Sequence, residues 1–242
     1  MAKEHYELRG RTVLITGAAR GIGAETARRV HARGANVVLA GLEPEELAAR
    51  AAELGERAAW FEADVTDLEA MEAVAAGAVE RFGGIDVVVA NAGVAPNGTV
   101  ASVDPAAFDR TIEVNLLGVF RTVRAALPHV TARRGYVLII SSASALVHTP
   151  MMAAYTASKA GVEAFGDALR MEVAHTGTKV GVAYFSFIDT DMVRRGLDRP
   201  SAQRARERVG GAFSRIAPLP EATDAIERGI ATRARHVYAP RS

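Results

Sequence analysis

The sequence predicts an α/β fold in which helices cover both faces of a doubly wound parallel sheet. Short apolar runs alternate with helical segments along the chain, and a glycine-rich turn joins the first run to the first helix. The run from Ile85 to Ala90 is continuously apolar, as in parallel strands that are buried on both faces. Neither a linker nor a repeat interrupts this pattern, so we expect one domain, residues 1–242.

Glycine and proline mark the first elements. Residues Arg11 to Thr16 form an apolar strand that leads into the glycine turn, and Ala24 to Ala32 then have helical composition. Asn36 to Ala40 are predicted as the second strand. Pro44 begins the next helix at the first-turn position that proline tolerates, and Gly55 ends it.

The apolar run from Ile85 to Ala90 is the predicted fourth strand, and capping signals mark the start of the helix before it and of the helix after it. Ala58 to Phe61 form the third strand, and Thr66 with Glu69 can start the next helix as a capping box. After the fourth strand, the pair Asp104-Pro105 supplies an N-cap and a first-turn proline for a long helix that reaches about Leu127.

Three more strands are predicted in the second half of the chain. They are Gly135 to Ile140, Lys179 to Phe185 and a short candidate from Arg235 to Tyr238. A helix that carries Tyr155 and Lys159 lies between the first two. Strands that alternate with helices imply right-handed crossovers, which make the strands parallel and place helices on both faces of the sheet.

Composition limits the class of protein. The apolar fraction is 49%, as in ordinary globular chains, and a formal charge of +1 gives no general attraction to nucleic acid. The absence of cysteine excludes disulfides, thiolate metal sites and a cysteine nucleophile, and we expect no metal. No apolar run approaches the roughly 18 residues of a membrane span, and no hydrophobic segment follows the initial charges, so we expect a cytoplasmic protein without a membrane partner.

The glycine turn predicts a dinucleotide site. Gly17, Gly21 and Gly23 form a G-x-x-x-G-x-G pattern, which leaves no side chains where a backbone turn and a helix N-terminus approach a pyrophosphate. A loop for nucleoside triphosphates is disfavoured, because that motif needs G-K-[ST] and here Ala24 and Glu25 follow the last glycine. A glycine-rich turn that binds nothing is the alternative.

Ser142, Tyr155 and Lys159 are the candidate catalytic group. Tyr155 and Lys159 are four residues apart, so on a helix they share one face, about 6 Å apart along the axis. A cation beside the phenol favours the phenolate and should lower the pKa of Tyr155. Ser142 follows a buried strand, where sites of α/β proteins form, and its hydroxyl could polarise a substrate carbonyl.

Two other interpretations of this region are weaker. The spacing of Tyr155 and Lys159 also arises by chance on an alanine-rich helix. His148 lies between Ser142 and Tyr155 and suggests a hydrolase triad. That reading is discounted, because no G-x-S-x-G elbow surrounds the serine and the lysine has no place in such chemistry.

The chain resembles the short-chain dehydrogenase/reductase family, in its compact branch with one Rossmann-type domain, over nearly its whole length. The motifs that carry the resemblance are TGAARGIG at 16–23, Asp64-Val65, NAG at 91–93, Asn115 within EVNLLGVF, Ser142, Tyr155-x-x-x-Lys159 and Thr190. The resemblance implies an NAD(P)-dependent oxidoreductase that transfers a hydride between nicotinamide and a carbonyl or secondary alcohol. The alternative is a dinucleotide-binding sensor or scaffold without turnover, against which the intact catalytic set argues.

The resemblance also implies roles for particular residues. Tyr155 would be the general acid/base, Lys159 would lower its pKa, and Ser142 would polarise the substrate oxygen. Asn115 would complete a water-linked proton relay with the lysine. The implied cofactor contacts are Gly17, Arg20, Gly21, Ile22 and Gly23 at the phosphates, Asp64 and Val65 at the adenine, Asn91 and Gly93 along the cofactor strand, Tyr155 and Lys159 at the nicotinamide ribose, and Ile188 and Thr190 at the carboxamide. Otherwise Asn115 is a polar residue of a long helix, and Asp64 a turn or cap residue.

The choice between NAD and NADP depends on the end of the second strand. An acidic side chain there would bind the ribose 2′-hydroxyl of NAD and repel the extra phosphate of NADP. That position is Gly41, and Arg20 is available to a phosphate, so NADP is slightly favoured over NAD. Leu42 is not basic, however, and Glu43 is close enough to oppose a phosphate.

The chain departs from the family pattern at three places. Ala90 stands where a first asparagine is usual before Asn91, a change that we expect to be tolerated. Phe185-Ser186 stands where a Pro-Gly pair is usual, so a bulky ring is expected near the nicotinamide and relatives are a weaker guide to the substrate. The usual Gly-Gly ending is missing, which puts any subunit interface built on it in doubt.

Residues 191–219 correspond to the segment that this family uses as a mobile substrate lid. The segment combines apolar side chains with seven arginines, and Gly210-Gly211 could act as a hinge, although a solvated amphipathic helix is almost as compatible. One hypothesis is that Arg194 and Arg195 meet an acidic or phosphate-bearing substrate. Met151, Met152, Phe185, Phe187 and Met192 suggest an apolar pocket wall, or else core.

The resemblance extends to assembly. Relatives commonly pair through the long helix and the helix that carries Tyr155, and both helices here are rich in alanine and other apolar residues. We therefore expect a homodimer or homotetramer whose other partner is a small carbonyl or alcohol substrate.

Overall fold

The computed structural model describes residues 5–197 and 215–240, in which seven parallel strands form one sheet in the order β3-β2-β1-β4-β5-β6-β7. The strands are β1 (Thr12–Thr16), β2 (Asn36–Gly41), β3 (Ala58–Glu62), β4 (Val87–Ala90), β5 (Tyr136–Ile140), β6 (Lys179–Phe185) and β7 (His236–Ala239). The strand order reverses at β1, which has β2 on one side and β4 on the other. The carboxyl ends of β1 and β4 therefore border the crevice in which folds of this kind bind ligands.

Helices connect the strands. Within the described ranges they are α1 (Gly21–Ala32), α2 (Pro44–Leu54), α3 (Leu68–Phe82), α4 (Pro105–Ile112), α5 (Gly118–Ala132), α6 (Ala153–Glu172), α7 (Asp191–Leu197) and α8 (Leu219–Thr232). A π-helical turn, Glu113–Leu117, joins α4 to α5. None of these helices is both long enough and apolar enough to cross a membrane.

Each face of the sheet has its own hydrophobic cluster. Leu47 of α2 and Ile226 of α8 are fully buried in one cluster, together with residues of α1. Met71 of α3 and Val162 of α6 are fully buried in the other, together with residues of α5. Successive valines of β4 alternate between the two clusters, which explains the continuous apolar run and confirms the predicted doubly wound α/β fold.

The end of the chain completes the first of these clusters. Ile226 and Ile230 of α8 have no exposed surface, and β7 pairs with β6 as an edge strand of the sheet. The N–H of Tyr6 donates to the carbonyl of Ala231 at 2.7 Å, so segments near both ends of the chain are in contact. The short C-terminal strand that the sequence predicts is therefore a full member of the sheet.

The predicted strands are found with boundaries that shift by at most two residues, whereas two helices differ more. The first helix begins at Gly21 rather than at Ala24, so the end of the glycine turn is helical. The long helix ends at Ala132 rather than near Leu127, and the π-helical turn interrupts it. Pro128 is tolerated inside α5 because it is exposed, where water can bond the carbonyl that its missing N–H leaves free.

The predicted capping box of Thr66 and Glu69 is wrong. The N-cap of α3 is Asp67, whose Oδ1 accepts from the N–H of Ala70 at 3.2 Å. The hydroxyl of Thr66 instead donates to Asp64 Oδ1 at 2.8 Å, and the Thr66 N–H donates to the same oxygen. Asp64 thus forms a turn of its own before the helix and leaves Thr66 unavailable as a cap.

Candidate active site

The predicted site residues lie along the carboxyl edge of the sheet. Because the strands are parallel, the residues that follow them meet at this edge. They are Gly17–Gly23 after β1, Gly41 at the end of β2, Asp64 and Val65 after β3, Asn91 and Gly93 after β4, Ser142 after β5, and Ile188 and Thr190 after β6. The π-helical turn and α6 bring Asn115, Tyr155 and Lys159 to the same edge.

The turn between β1 and α1 has no room for side chains. Gly17 and Gly21 have φ angles of 62° and 57°, which L side chains rarely adopt. A Cβ atom at Gly17 would lie 2.9 Å from the Cα of Ala92, and one at Gly23 would lie 2.3 Å from the carbonyl oxygen of Gly17. The N-cap residue Arg20 makes no side-chain capping bond, so the N–H groups that begin α1 are available to an anion.

Asn91 ties the end of β4 to this turn. Its Nδ2 donates to the carbonyl oxygens of Thr16 and Gly17 at 2.9 and 3.2 Å. The hydroxyl of Thr16 accepts from the N–H groups of Asn91 and Ala92 at 3.1 and 3.2 Å. These four bonds hold both sides of the crevice in one geometry, and they give Asn91 a structural part in it.

A charge pair lies at the end of β2. Arg20 Nη2 is 2.7 Å from Glu43 Oε1. The other carboxylate oxygen, Oε2, is 3.6 Å from the point where a Cβ atom of Gly41 would lie. Glu43 therefore places a carboxylate beside the position that Gly41 leaves without a side chain, and the arginine that was available to a phosphate is already paired.

Asp64 is held by a residue that the sequence did not indicate. Arg110 of α4 donates from Nη2 to Asp64 Oδ2 at 2.9 Å and from Nη1 to the hydroxyl of Thr66 at 3.2 Å. Hydrogen bonds from Thr66 and Arg110 together lower the pKa of the Asp64 carboxyl, although burial opposes them. Val65 beside it is buried, close to Gly118 of α5, where a Cβ atom would lie 2.6 Å from Val65 Cγ2.

Asn115 lies in the π-helical turn, and its side chain is fully buried. Its Oδ1 accepts from the N–H of Val94 at 2.8 Å, and its Nδ2 donates to the carbonyl of Val94 at 2.9 Å and to the hydroxyl of Ser158 at 3.1 Å. The side-chain amide thus connects the segment after β4 to α6. Turns of this kind are frequent at functional sites.

The side chain of Ser142 lies close enough to the Tyr155 phenol to affect its pKa. The Ser142 hydroxyl also donates to the carbonyl of Phe185 at 3.2 Å and accepts from the N–H of Ser144 at 3.1 Å. Burial raises the pKa of Tyr155, and the neighbouring Ser142 side chain opposes that rise. The net pKa of Tyr155 is therefore raised in this structure and not lowered as expected, because desolvation is the larger effect.

Lys159 is buried beside the tyrosine. Its Nζ lies 5.6 Å from the ring centroid of Tyr155 and donates to the carbonyl of Ile140, the last residue of β5, at 2.8 Å. A Cβ atom at Gly93 would lie 3.8 Å from Nζ, so the segment after β4 also passes close to the amine. Burial lowers the pKa of Lys159 from its ordinary value of 10.5 to about 8.

This pKa predicts how the stability of the protein depends on pH. Between pH 8 and 10.5 the unfolded chain binds the Lys159 proton more tightly than the folded chain, so this group's destabilising effect is full below pH 8 and is relieved as the pH rises. We expect Lys159→Met to be more stable relative to the wild type at pH 7 than at pH 10, by a difference on the order of 3 kcal/mol at most. Urea unfolding at the two pH values measures this difference.

Lys179→Met is the matched control, because Lys179 at the start of β6 is exposed. Its stability relative to the wild type should change little between the two pH values. An equal pH dependence in both variants would contradict the assignment of the effect to burial of Lys159.

The residues after β6 divide between core and site. Phe185 and Ile188 are buried in the α1 and α8 cluster, so the expected ring of Phe185 near the nicotinamide is wrong, and Phe185 is core rather than pocket wall. A short bridge to Ala217 uses the carbonyl of Phe187 and the N–H of Asp189, not the groups of Ile188. Thr190 lies beside the glycine turn, since a Cβ atom at Gly21 would be 3.7 Å from its Cγ2.

The proposed lid is described only in part. Residues 198–214 lie outside the described residues, and with them the hinge at Gly210-Gly211 and four of the seven arginines. Arg194 forms two bonds with the Asp189 carboxylate, at 2.7 and 3.0 Å. Its charge is therefore already matched, which weakens the hypothesis that it binds an acidic substrate. His148 is exposed, which agrees with discounting it as a triad member.

Side chains that support this site carried little signal in the sequence. Arg110 binds Asp64 and Ser158 binds Asn115, although neither of them was predicted from the sequence. Ser158 could have been found, because it directly precedes Lys159 and its hydroxyl reaches back to the Tyr155 carbonyl at 2.7 Å. No group of three His, Cys, Asp or Glu residues in the described ranges could hold a metal ion.

Comparison with known proteins assigns this arrangement to a class: the protein is an oxidoreductase that acts on CH–OH groups with a nicotinamide cofactor and a small-molecule substrate. It belongs to the short-chain dehydrogenase family, whose family model matches residues 11–200. This confirms the resemblance seen in the sequence.

Three similar proteins illustrate the match. The chain is 37% identical to trans-4-hydroxycyclohexanecarboxylate dehydrogenase of Sinomonas cyclohexanicum over 80% of this chain and 78% of that protein. It is 35% identical to 3beta-hydroxysteroid dehydrogenase 1 of Eggerthella lenta over 84% and 80%, respectively. The crystal structure of gox2181 superimposes with a TM-score of 0.88 over 96% of both chains at 24% identity, which supports the fold alone.

Proposed function

We propose that the protein transfers a hydride between NAD(P) and a secondary alcohol or its ketone, with Tyr155 as the general acid/base. The observation that carries this proposal is the meeting of Ser142, Tyr155 and Lys159 at the carboxyl edge of the sheet. The cofactor, when bound, accepts or supplies the hydride.

The residues that border the crevice between β1 and β4, where the strand order reverses, fit such a cofactor. The cradle of Gly17, Gly21 and Gly23 keeps side chains away from the start of α1, as a pyrophosphate requires. By family resemblance Arg20 and Ile22 complete the phosphate contacts, and Asp64 and Val65 bind the adenine. Asn91 and Gly93 line the cofactor strand, Tyr155 and Lys159 hold the nicotinamide ribose, and Ile188 and Thr190 meet the carboxamide.

The proton is handled by the chain's own side chains. With substrate bound, the Ser142 hydroxyl turns from the Phe185 carbonyl and donates a hydrogen bond to the substrate oxygen. The Tyr155 phenolate takes the hydroxyl proton in oxidation, and the protonated Tyr155 returns it in reduction. Because burial raises the pKa of Tyr155, a phenolate there needs a cationic partner, and Lys159 is the nearby ammonium that can supply it. The side-chain amide of Asn115 is committed to Val94 and Ser158, so we assign its part in the water-linked relay to its backbone carbonyl.

A ring-bearing secondary alcohol is the substrate class that we propose. Leu146 and Val147 after β5 and Met192 of α7 are exposed at the edge of the sheet where the reaction would occur, and they offer an apolar surface to a carbon skeleton. Two relatives are named for hydroxyl groups on rings, a hydroxycyclohexanecarboxylate and a hydroxysteroid. Acyclic alcohols of the same size would bury less apolar surface and bind more weakly.

The test is an assay of the purified protein. Fluorescence titration with NADH and NADPH measures binding, and absorbance of the reduced nicotinamide measures turnover with cyclohexanol derivatives, hydroxysteroids and acyclic secondary alcohols. Turnover with ring alcohols or ketones supports the proposal. Tight cofactor binding without turnover across this panel would favour a sensor or scaffold, and failure to bind either cofactor would contradict the reading of the glycine cradle.

Glu43 should limit the preference for NADP that Gly41 and Arg20 favour. In Glu43→Gln the carboxylate that faces Gly41 is neutral and Arg20 is released from its ion pair. We expect the ratio of the NAD Kd to the NADP Kd to rise about tenfold, because one negative charge near the 2′-phosphate is removed. Parallel titrations with both cofactors measure the ratio.

Glu46→Gln is the control for this change. Glu46 is exposed in the first turn of the same helix, so its variant has the same net charge as Glu43→Gln. An equal shift in both variants would show a general charge effect, and an unchanged ratio in Glu43→Gln would contradict the role of Glu43.

We also propose a homodimer or homotetramer that pairs through α5 and α6. Phe120 of α5 is partly exposed and contacts Phe165 of α6 edge to face, with 6.3 Å between the ring centroids. Sedimentation analysis of the wild type and of Phe120→Glu tests this pairing, since a charge at this point of an interface should favour the monomer.

A further inference from the structure

We propose that Asn97 is a positioning residue that holds the far end of α7 against the loop after β4 and thereby shapes the substrate side of the site. The proposal rests on the proposed function, because α7 directly follows Thr190, which that function places at the nicotinamide. It concerns the seven-residue helix α7 and the loop 91–103, both of which the structure describes.

The near end of α7 is fixed to the end of β6. The Thr190 carbonyl accepts from the N–H of Arg194 at 2.9 Å, and the Arg194 guanidinium binds Asp189. Asp189 itself donates its N–H to the carbonyl of Ala217 at 2.8 Å, which joins this point to the strand bridge. The first turn of α7 is therefore held by bonds that do not involve Asn97.

The far end of α7 depends on a residue almost a hundred positions earlier. Asn97 Nδ2 donates to the carbonyl oxygen of Gly196 at 3.0 Å. The last carbonyls of a helix have no partner within it, and two turns of helix are too short to be stable alone. A side-chain amide that satisfies one of these carbonyls should therefore decide whether the end of α7 stays in place.

The same loop also reaches the approach to the catalytic tyrosine. The N–H of Gly98 donates to the carbonyl of Met151 at 3.0 Å. Met151 has a φ of 69°, a left-handed conformation that is uncommon for residues other than glycine and that is found where surrounding bonds enforce it. Asn97 and Gly98 thus join two walls of the substrate side, α7 on one and the segment that leads to Tyr155 on the other.

Loss of the Asn97 bond should affect substrate binding and cofactor binding differently. The cofactor cradle is held by Asn91 and Thr16 at the other end of the loop, and those bonds do not involve Asn97. Loss of the Asn97 bond should let α7 move away from the substrate while the cradle keeps its shape. Substrate affinity should then fall, whereas cofactor affinity and the chemical step with Tyr155 should not.

The test compares four variants. Asn97→Ala removes the donor, Asn97→Gln keeps a donor on a longer side chain, and Gly196→Ala places a Cβ atom 3.2 Å from Asn97 Nδ2 and so crowds the bond from the other side. Ser102→Ala is the control. Ser102 is exposed in the same loop, and its hydroxyl bonds to the hydroxyl of Thr99 at 2.8 Å.

Three measurements distinguish the outcomes, namely steady-state kinetics, a cofactor titration and limited digestion with trypsin. We expect Asn97→Ala to raise the substrate KM about 3- to 10-fold, with kcat within about twofold and the cofactor Kd unchanged. Trypsin should cut after Arg194 and Arg195 faster by a similar factor, as mass spectrometry of early fragments would show. Asn97→Gln should recover part of both effects, Gly196→Ala should show them more weakly, and Ser102→Ala should show neither.

The proposal is overturned if KM and the cleavage rate of Asn97→Ala equal those of the wild type. It is overturned as well if the cofactor Kd rises as much as KM, because Asn97 would then support the fold in general. Cleavage by trypsin needs no turnover, so this arm of the test still decides the proposal if no substrate is found and the proposed function fails.

Discussion

Tyr155→Phe is expected to lower kcat about 1,000-fold or more while the cofactor Kd stays within about threefold of the wild type. The change removes only the phenolic oxygen, which is the atom that exchanges the proton with the substrate in the proposed mechanism, and positioned proton transfer contributes roughly 100- to 10,000-fold. The ring itself remains 5.6 Å from Lys159 Nζ, and the glycine cradle for the cofactor is not altered by the change.

Tyr238→Phe provides the comparison. Tyr238 lies on β7, is about half exposed and stacks on Tyr184, away from the residues that bind the phenol of Tyr155. Its loss of a hydroxyl should leave kcat within about twofold. Initial rates and a cofactor titration on both variants decide the question. A Tyr155→Phe protein with near wild-type kcat would rule out Tyr155 as the acid/base.

Gly23→Ala should abolish tight binding of the cofactor. The added Cβ atom would lie 2.3 Å from the Gly17 carbonyl oxygen and 2.8 Å from Asn91 Nδ2, distances that real Cβ atoms do not show. The turn must therefore open, and the bonds from Asn91 that hold it must lengthen or break. We expect the Kd for NAD(P)H to rise at least about 100-fold, which corresponds to roughly 3 kcal/mol of lost binding free energy.

A second glycine separates this effect from a general loss of stability. Gly10 has a φ of 73°, and a Cβ atom there would have no neighbour within 4 Å. Gly10→Ala should cost about 1 kcal/mol of backbone strain and shift the thermal midpoint, but its cofactor Kd should match the wild type. Thermal unfolding and fluorescence titration of both variants give the comparison, and an unchanged Kd in Gly23→Ala would refute the cradle.

The fold could be predicted because its signals are local. Two-sided burial makes β4 a continuous apolar run, and positive φ angles restrict Gly17 and Gly21 to glycine. Both patterns can be recognised from residues that are close together in the sequence. The positions of Ser142 and Lys159 followed from the same logic, since one comes after a strand and the other shares a helix face with Tyr155.

The parts that could not be predicted depend on contacts between distant segments. Arg110 binds Asp64 across 46 positions, and Asn97 bonds to Gly196 across 99. Neither residue type in its local context indicates a partner. The prediction of the α3 cap was wrong for a related reason. The Thr66 hydroxyl is bonded to Asp64, so Asp67 is the N-cap instead.

The pKa of Tyr155 shows a different limit. Spacing places Lys159 on the same helix face, but spacing does not reveal how completely the pair is removed from water. In the folded chain desolvation raises the pKa of Tyr155 and lowers that of Lys159 to about 8. The directions of these two pKa shifts therefore depend on the packing around the pair, which the sequence spacing does not show.

The helix α8 covers one face of the sheet, and β7 pairs with the edge of β6, so both are needed before the sheet is complete. Until residues 219–240 leave the ribosome, the sheet face that Ile226 and Ile230 cover is open to water, and β6 is an unprotected edge. Translation adds about 5–20 residues per second, so a nascent chain carries that exposed surface for seconds before it can close. The sheet can therefore be completed only once residues 219–240 are available, and a chain cut before Leu219 should aggregate rather than fold into a weakened enzyme.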